Sequence, residues 1–112
     1  MNNIVLIDTD VLIDFIHGKD EAKSAFLQIE QNFSISISVI TKMELFIGCR
    51  NKSELKSIEK FLSQFQLIEL TKHISKSATD LLHQYHLSHG LLIADALIAS
   101  TAIQMNLALL SK

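Results

Sequence analysis

Residues 4–10 read Ile4-Val5-Leu6-Ile7-Asp8-Thr9-Asp10 and decide the fold of this 112-residue chain. A short apolar run rich in β-branched residues predicts a strand that is buried on both faces, as in parallel sheets. The carboxylate of Asp8 follows where this strand is predicted to end. Because open parallel sheets bind their ligands at the carboxyl ends of strands, the segment predicts both the fold and the place of the site.

Two further acidic residues stand inside apolar segments. Glu44 interrupts the apolar residues of segment 39–47, and Asp95 interrupts those of segment 91–99. A carboxylate carried into a core costs several kcal/mol unless it is paired or binds a metal. Three such residues, counting Asp8, predict one shared acidic pocket that holds a divalent cation.

Each acid also has a simpler interpretation. Asp8 could cap the following helix by accepting a hydrogen bond from the backbone N–H of Asp10 or Val11. Glu44 could be a surface residue beside a buried stripe. Asp95 could complement the positive end of its helix.

The bulk composition predicts a single folded domain with its own core. Apolar residues make up 48% of the chain and charged residues 20%, which argues against disorder. One cysteine, Cys49, excludes an internal disulfide and a Cys-rich zinc site. The N-terminus, Met1-Asn2-Asn3, is not typical of a signal peptide, and no apolar run is long enough to span a bilayer. We therefore expect a cytoplasmic protein with no membrane partner.

The spacing of apolar residues predicts four strands separated by pairs of helices. The predicted strands are Ile4–Ile7, Phe33–Val39, Leu67–Leu70 and Leu107–Leu110. The predicted helices are Val11–Ile16, Asp20–Gln31, Thr41–Cys49, a helix capped by Ser53 that includes Phe65, Ser75–His86 and Ile93–Met105. Strands joined by helical crossovers imply a three-layer α/β/α fold with a mostly parallel sheet.

Converging carboxylates repel one another, and this raises the pKa of at least one of them. Mg²⁺ or Mn²⁺ relieves the repulsion, since both prefer oxygen ligands. A metal in such a pocket can activate a water and neutralise charge on a phosphodiester. Asp10 is close enough in sequence to reach the same centre, and the hydroxyl of Thr9 or Thr41 could orient a carboxylate or a metal-bound water.

Two other groups of residues give weaker signals. His83, His86 and His89 are spaced by three, which permits zinc binding but also suits the negative end of a helix. Basic residues cluster between positions 50 and 60, where glutamates interrupt them, so a solvated helix face competes with a nucleic-acid contact. The net charge of −2 gives no general preference for nucleic acid. The basic residues are Arg50, Lys52, Lys56 and Lys60.

Three blocks together resemble the PIN domain, and most closely the VapC toxins of prokaryotic toxin–antitoxin pairs. They are residues 7–14 (IDTDVLID), 38–48 (SVITKMELFIG) and 94–99 (ADALIA), and they occur in the order and spacing of that family. The resemblance implies an Mg²⁺- or Mn²⁺-dependent endoribonuclease that cleaves single-stranded regions of RNA. It implies that Asp8, Glu44 and Asp95 are the metal ligands. It also implies a homodimer and a VapB-type antitoxin that inserts a peptide segment into the active site.

The sequence departs from the family pattern in two places. The family often has asparagine at the position of Asp10, so we expect a more acidic pocket here. The family also continues past the fourth strand with a segment that supplies a fourth acidic or polar residue, and then with a fifth strand. Ser111 matches the start of that segment and the sequence ends at Lys112. We therefore expect residues 1–112 to form one PIN domain without its last strand. Either the product is truncated, or Asp10 or a partner chain substitutes for the fourth ligand.

Three alternatives remain at this point. The opening of the chain also fits the D-x-D motif of haloacid-dehalogenase-like phosphatases, in which Asp8 would be a nucleophile, although Asp95 lacks the second acid that those enzymes need. A shortened PIN domain could instead bind antitoxin or RNA without cutting. The acids could also be incidental to a structural domain, in which case Mg²⁺ would not stabilise the fold.

Overall fold

The computed structural model describes residues 3–111. Three residues lie outside this range, namely Met1, Asn2 and Lys112. The expectations about a signal peptide and about the end of the chain rest partly on these residues. The strands are β1 (Ile4–Ile7), β2 (Ser34–Ser38), β3 (Gln66–Ile68) and β4 (Ala108–Leu110). The helices are α1 (Thr9–Ile16), α2 (Asp20–Asn32), α3 (Val39–Ile47), α4 (Lys52–Leu62), α5 (Lys72–His89) and α6 (Ile93–Met105).

The four strands form one sheet in the order β3-β2-β1-β4, and every neighbouring pair is parallel. The predicted parallel sheet is therefore confirmed. The strand that the opening segment predicted, β1, lies inside the sheet between β2 and β4, where both of its faces are covered. Its buried residues Val5, Leu6 and Ile7 are each at most 6% exposed.

Alternating residues of β1 pack into two different cores, one on each face of the sheet. Val5 and Ile7 join Ile35 and Ile37 in the larger core, which the first four helices cover. Leu6 joins a second, smaller core with residues of α6. The arrangement is the three-layer α/β/α fold that the sequence predicted.

A cluster of four aromatic rings organises the larger core. Phe26 of α2 stacks on Phe15 of α1 with ring centroids 4.2 Å apart, and it meets the edge of Phe65 at 5.8 Å. Phe61 of α4 lies 5.9 Å from Phe15 and 5.3 Å from Phe65. Offset and edge-on ring pairs add stabilisation beyond the burial of their area. This cluster therefore holds α1, α2 and α4 against the sheet.

Several predicted boundaries are wrong because capping residues start the helices earlier or elsewhere. The hydroxyl of Ser38 accepts a hydrogen bond from the backbone N–H of Ile40 (3.0 Å), so α3 begins at Val39 and β2 ends at Ser38. Since β3 pairs with β2, β3 ends at Ile68, the partner of Ser38. Asn51, rather than Ser53, caps α4.

Of the last two predicted helices, α5 is longer than predicted and α6 has the predicted bounds. The long helix α5 starts at Lys72, capped by Thr71, and runs to His89, so it is six residues longer than predicted. Tyr85, whose ring the apolar spacing of this helix would turn toward the core, is 37% exposed. The bounds of α6 agree with the prediction. No helix within residues 3–111 combines the length and the apolar character that crossing a bilayer requires.

Gly90 ends α5 in the left-handed conformation, and its replacement should destabilise the fold. It has φ +66°, and nothing lies within 4 Å of an added Cβ, so the cost is one of backbone conformation only. We expect Gly90→Ala to lower the free energy of unfolding by about 1 kcal/mol. Gly48→Ala is the matched control, because Gly48 has an ordinary right-handed helical φ of −73° and room for a methyl group. Urea unfolding should give no loss, or a small gain, for the control; equal losses would contradict this explanation.

Candidate metal centre

Asp8 lies at the junction of β1 and α1, at the carboxyl edge of the sheet. Its backbone N–H donates to the carbonyl of Leu110 in β4 (2.9 Å), which fixes the end of the strand. Its carboxylate Oδ1 accepts the backbone N–H of Thr9 (2.8 Å) and caps α1. The expected capping role is therefore present, although the donor is Thr9 rather than Asp10 or Val11. One carboxylate oxygen is used in this bond, so capping leaves Oδ2 for a second role.

Glu44 and Asp95 lie in the first two turns of helices that start at the same edge. Glu44 is in the second turn of α3, and Asp95 is in the first turn of α6. Both side chains are exposed, and Asp8 is half-buried. The expectation that these carboxylates are carried into the core is wrong for Glu44 and Asp95, because both acids lie on the solvent side of their helices. Other residues of the same helices, among them Leu45 and Ile98, face the core instead.

The electrostatics of Asp8 show that the predicted acids converge. Burial is the largest cause that raises the pKa of Asp8 above its ordinary value of 3.8, and the hydrogen bond from Thr9 opposes it. The negative charges of Asp10, Asp95 and Glu44 raise the pKa of Asp8 further, in that order. Acids from three segments of the chain therefore lie near enough for their negative charges to act on the carboxylate of Asp8.

The two threonines near these acids are buried and bonded to each other. Thr9 is 6% exposed and Thr41 is fully buried. Their hydroxyl oxygens are 2.9 Å apart, and the hydroxyl of Thr9 donates to Glu44 Oε1 at 2.7 Å. Sequence reasoning identified both threonines only by their closeness to acids along the chain. The contact between residues 35 positions apart comes from the packing of α1 on α3.

The donor set fits a divalent cation with oxygen ligands. No Lys, Arg or His side chain within residues 3–111 forms an ion pair with Asp8, Asp10, Glu44 or Asp95. The acids therefore repel one another without a protein cation to neutralise them. In that same range no three His, Cys, Asp or Glu side chains already stand as a formed metal site.

The weaker sequence signals do not join this centre. His86 Nδ1 bonds to the carbonyl of Leu91 (2.8 Å) and His89 Nδ1 to the hydroxyl of Ser88 (2.7 Å), both on the exposed surface. These bonds tie down the end of α5. In the basic segment, Arg50 pairs with Glu54 at 2.7 Å.

A cleft beside the acids was not predicted from the sequence. It has a volume of about 600 Å³, lies between α1, α3 and α4, and has Glu44 among its lining residues. Its floor includes Ile13, Leu45 and Ile58, and Cys49, to which the sequence assigned no role, lies in its wall. These residues fall on three helices, so only their packing reveals the cleft.

Parallel strands in a three-layer fold, with acids at their carboxyl edge, define a class of α/β protein in which that edge is the usual place for a ligand. The sequence model of the PIN domain matches residues 5–112. The chain belongs to the PIN domain family.

Individual relatives agree with this assignment. Ribonuclease VapC10 of Mycobacterium tuberculosis (strain CDC 1551 / Oshkosh) is 31% identical over 100 residues, which cover 88% of this chain and 74% of the relative. A chain of a toxin–antitoxin complex from Klebsiella pneumoniae superimposes with a TM-score of 0.80 at 31% identity, covering 96% of this chain and 84% of that one. A chain of VapBC2 from Rickettsia felis, bound to a DNA fragment from its promoter, gives 0.77 at 27% identity, with 96% and 86% covered.

Proposed function

We propose that this chain is a VapC-type toxin, a Mg²⁺- or Mn²⁺-dependent endoribonuclease of a toxin–antitoxin pair. The observation that carries the proposal is the convergence of Asp10, Asp95 and Glu44 on Asp8 at the carboxyl edge of the sheet. The 31% identity to a ribonuclease over most of the chain supports the same activity. A divalent cation is the simplest partner for this uncompensated negative charge.

Each of the site residues has a separate proposed role. Asp8, Glu44 and Asp95 would hold the cation, which when bound supplies an activated water and neutralises charge on the phosphodiester. Asp10, next to Asp8, increases the negative potential that attracts the cation. Thr41, buried beneath the acids, helps to orient them through its hydroxyl.

We propose a VapB-type antitoxin as the protein partner and the cleft between α1, α3 and α4 as the place of its inhibitory segment. The cleft is mostly apolar and Glu44 is among the residues that line it, so a peptide lying in it would contact one of the proposed metal ligands. Its volume of about 600 Å³ falls within the range of ligand pockets. With RNA as its substrate and an antitoxin as its partner, the protein would act in the cytoplasm.

We also propose that the chain acts as a homodimer. Large apolar side chains are exposed on α3, where Met43 is 51% and Ile47 is 84% exposed. Leu92 and Ile93, at the start of α6, are 62% and 68% exposed. Helices α3 and α6 are in contact, and exposed apolar surface of this kind marks protein interfaces.

RNA cleavage by the purified chain with Mn²⁺ tests the proposed activity, with EDTA as the metal-free control. We expect cleavage by the wild type and by Asp80→Asn, which removes an exposed acid on α5, away from the centre. We expect none from Asp95→Asn, because it removes one of the three ligands. Mn²⁺-independent cleavage, or equal activity of the two variants, would contradict the proposal. Binding of RNA or antitoxin without any cutting would favour the non-cutting binding module instead.

A further inference from the structure

Thr9 contacts two of the proposed metal ligands at once. Its backbone N–H donates to Asp8 Oδ1 at 2.8 Å, and its hydroxyl donates to Glu44 Oε1 at 2.7 Å. Asp8 is the neighbour of Thr9 in sequence, whereas Glu44 comes from α3. One residue at the start of α1 therefore connects the carboxylates of two separate segments.

The hydroxyl bonds of Thr9 have a defined direction. A carboxylate oxygen only accepts, so Thr9 must use its single hydroxyl proton in the bond to Glu44. The 2.9 Å bond between the hydroxyls of Thr9 and Thr41 must then be donated by Thr41. The chain of donors runs from Thr41 to Thr9 to Glu44, and it begins at a side chain that is fully buried.

We propose that Thr9 is a positioning residue that holds Asp8 and Glu44 for the divalent cation, and that Thr41 fixes the direction of the Thr9 hydroxyl. This inference rests on the proposed function for the presence of a metal. Each bond occupies one carboxylate oxygen, Asp8 Oδ1 or Glu44 Oε1, and leaves the other oxygen of that carboxylate for the cation.

Glu44 needs such a partner more than Asp8 does. It is an exposed, flexible side chain, and holding it in one orientation costs conformational entropy. A hydroxyl that is itself buried and held by Thr41 is a rigid donor, so the carboxylate is oriented before the cation arrives. Hydrogen-bond partners of metal ligands typically change metal affinity by about 10–100-fold when they are removed.

Four variants and one control separate these contributions, with Mn²⁺ affinity measured by electron paramagnetic resonance of free Mn²⁺. Thr9→Val keeps the backbone N–H and the branched shape but removes the hydroxyl, and we expect affinity to fall about tenfold. Thr9→Ser keeps the hydroxyl, so its Mn²⁺ affinity should stay within about threefold of that of the wild type. Thr41→Val should have a smaller effect than Thr9→Val. Thr79→Val removes an exposed α5 hydroxyl that bonds to Ser75, so it should leave Mn²⁺ binding unchanged.

The double variant Thr9→Val/Thr41→Val tests the bond between the two hydroxyls through urea unfolding. Thr9→Val leaves the fully buried hydroxyl of Thr41 without its partner, which is the costly case. Replacing both threonines removes that unpaired group. We therefore expect the unfolding midpoint of the double variant to lie above that of Thr9→Val, and its Mn²⁺ affinity to equal that of Thr9→Val.

The outcomes distinguish this inference from the proposed function. Unchanged Mn²⁺ affinity in Thr9→Val, or failure of Thr9→Ser to restore affinity, would overturn the positioning role even if the wild type cleaves RNA. Losses of stability that simply add in the double variant would show that the two hydroxyls do not bond to each other, and would overturn the role of Thr41. A wild type that binds Mn²⁺ with the expected dependence on Thr9 but cuts no RNA would refute the nuclease and leave the inference standing. A wild type that binds no Mn²⁺ would refute both.

Discussion

Asp8→Asn is expected to reduce Mn²⁺-dependent RNA cleavage strongly while making the metal-free protein more stable. Loss of cleavage follows from loss of a ligand. A catalytic metal supplies several kcal/mol of charge stabilisation, and each 1.4 kcal/mol corresponds to about tenfold in rate, so the rate should fall on the order of 10²–10³-fold. The variant retains the cap of α1, because asparagine accepts the N–H of Thr9 as well as aspartate does.

The gain in metal-free stability follows from the pKa of Asp8. Because this pKa is raised in the folded chain, the folded state binds the proton more readily than the unfolded state. The stability that the protonated group contributes is fully present below pH 3.8 and is lost as the pH rises through the raised pKa. At pH 7 the ionised carboxylate therefore costs stability, and the neutral Asn removes that cost.

Adding Mn²⁺ should make the wild type more stable than Asp8→Asn, which reverses their order of stability in EDTA. Asp8 is only half-buried and solvent screens its charge, so we expect a metal-free gain in melting temperature of only ~2–4 °C, corresponding to ~0.5 kcal/mol. Metal at 100 times its dissociation constant should stabilise the wild type by about 2.7 kcal/mol and the variant much less. Melting curves at pH 7 with EDTA and with Mn²⁺ measure both effects. A wild type that is more stable than Asp8→Asn in EDTA would contradict the raised pKa of Asp8, to which burial and the neighbouring acids both contribute.

Phe26→Ala is expected to have the largest effect on stability. Phe26 is 2% exposed and its ring lies between those of Phe15 and Phe65. Removing it leaves a cavity at the point where α2 packs on α1 and the sheet, which typically costs about 3–5 kcal/mol. That is a large share of the roughly 5–15 kcal/mol that stabilises a domain. We expect the melting temperature to fall by more than about 10 °C.

Phe33→Ala provides the matched control for this prediction. Phe33 follows α2 and is 44% exposed, so its replacement removes a ring of equal size from a site that water already reaches. Thermal unfolding should show a change within about 1 kcal/mol. A loss in Phe33→Ala as large as that in Phe26→Ala would mean that the aromatic cluster does not carry the core.

The three acidic residues could be identified from the sequence because each one interrupts a local apolar pattern. Their burial could not be predicted in the same way. An acid within an apolar segment of a helix is compatible with the core side or the solvent side, and the choice depends on which face of α3 or α6 packs on the sheet. Glu44 and Asp95 proved to be exposed, and only Asp8, fixed between β1 and α1, is half-buried.

The sequence by itself determined the alternation of strands and helices, the parallel sheet and the segments that carry the acids. These properties depend on periodic burial along short stretches and on crossover connections, which neighbouring residues encode. The tertiary structure alone decided that β1 lies between β2 and β4, that a cleft reaches Glu44, and that Thr9 bonds to Glu44. Those features join residues far apart in the chain, because they arise when α1, α3 and α4 pack together on one face of the sheet.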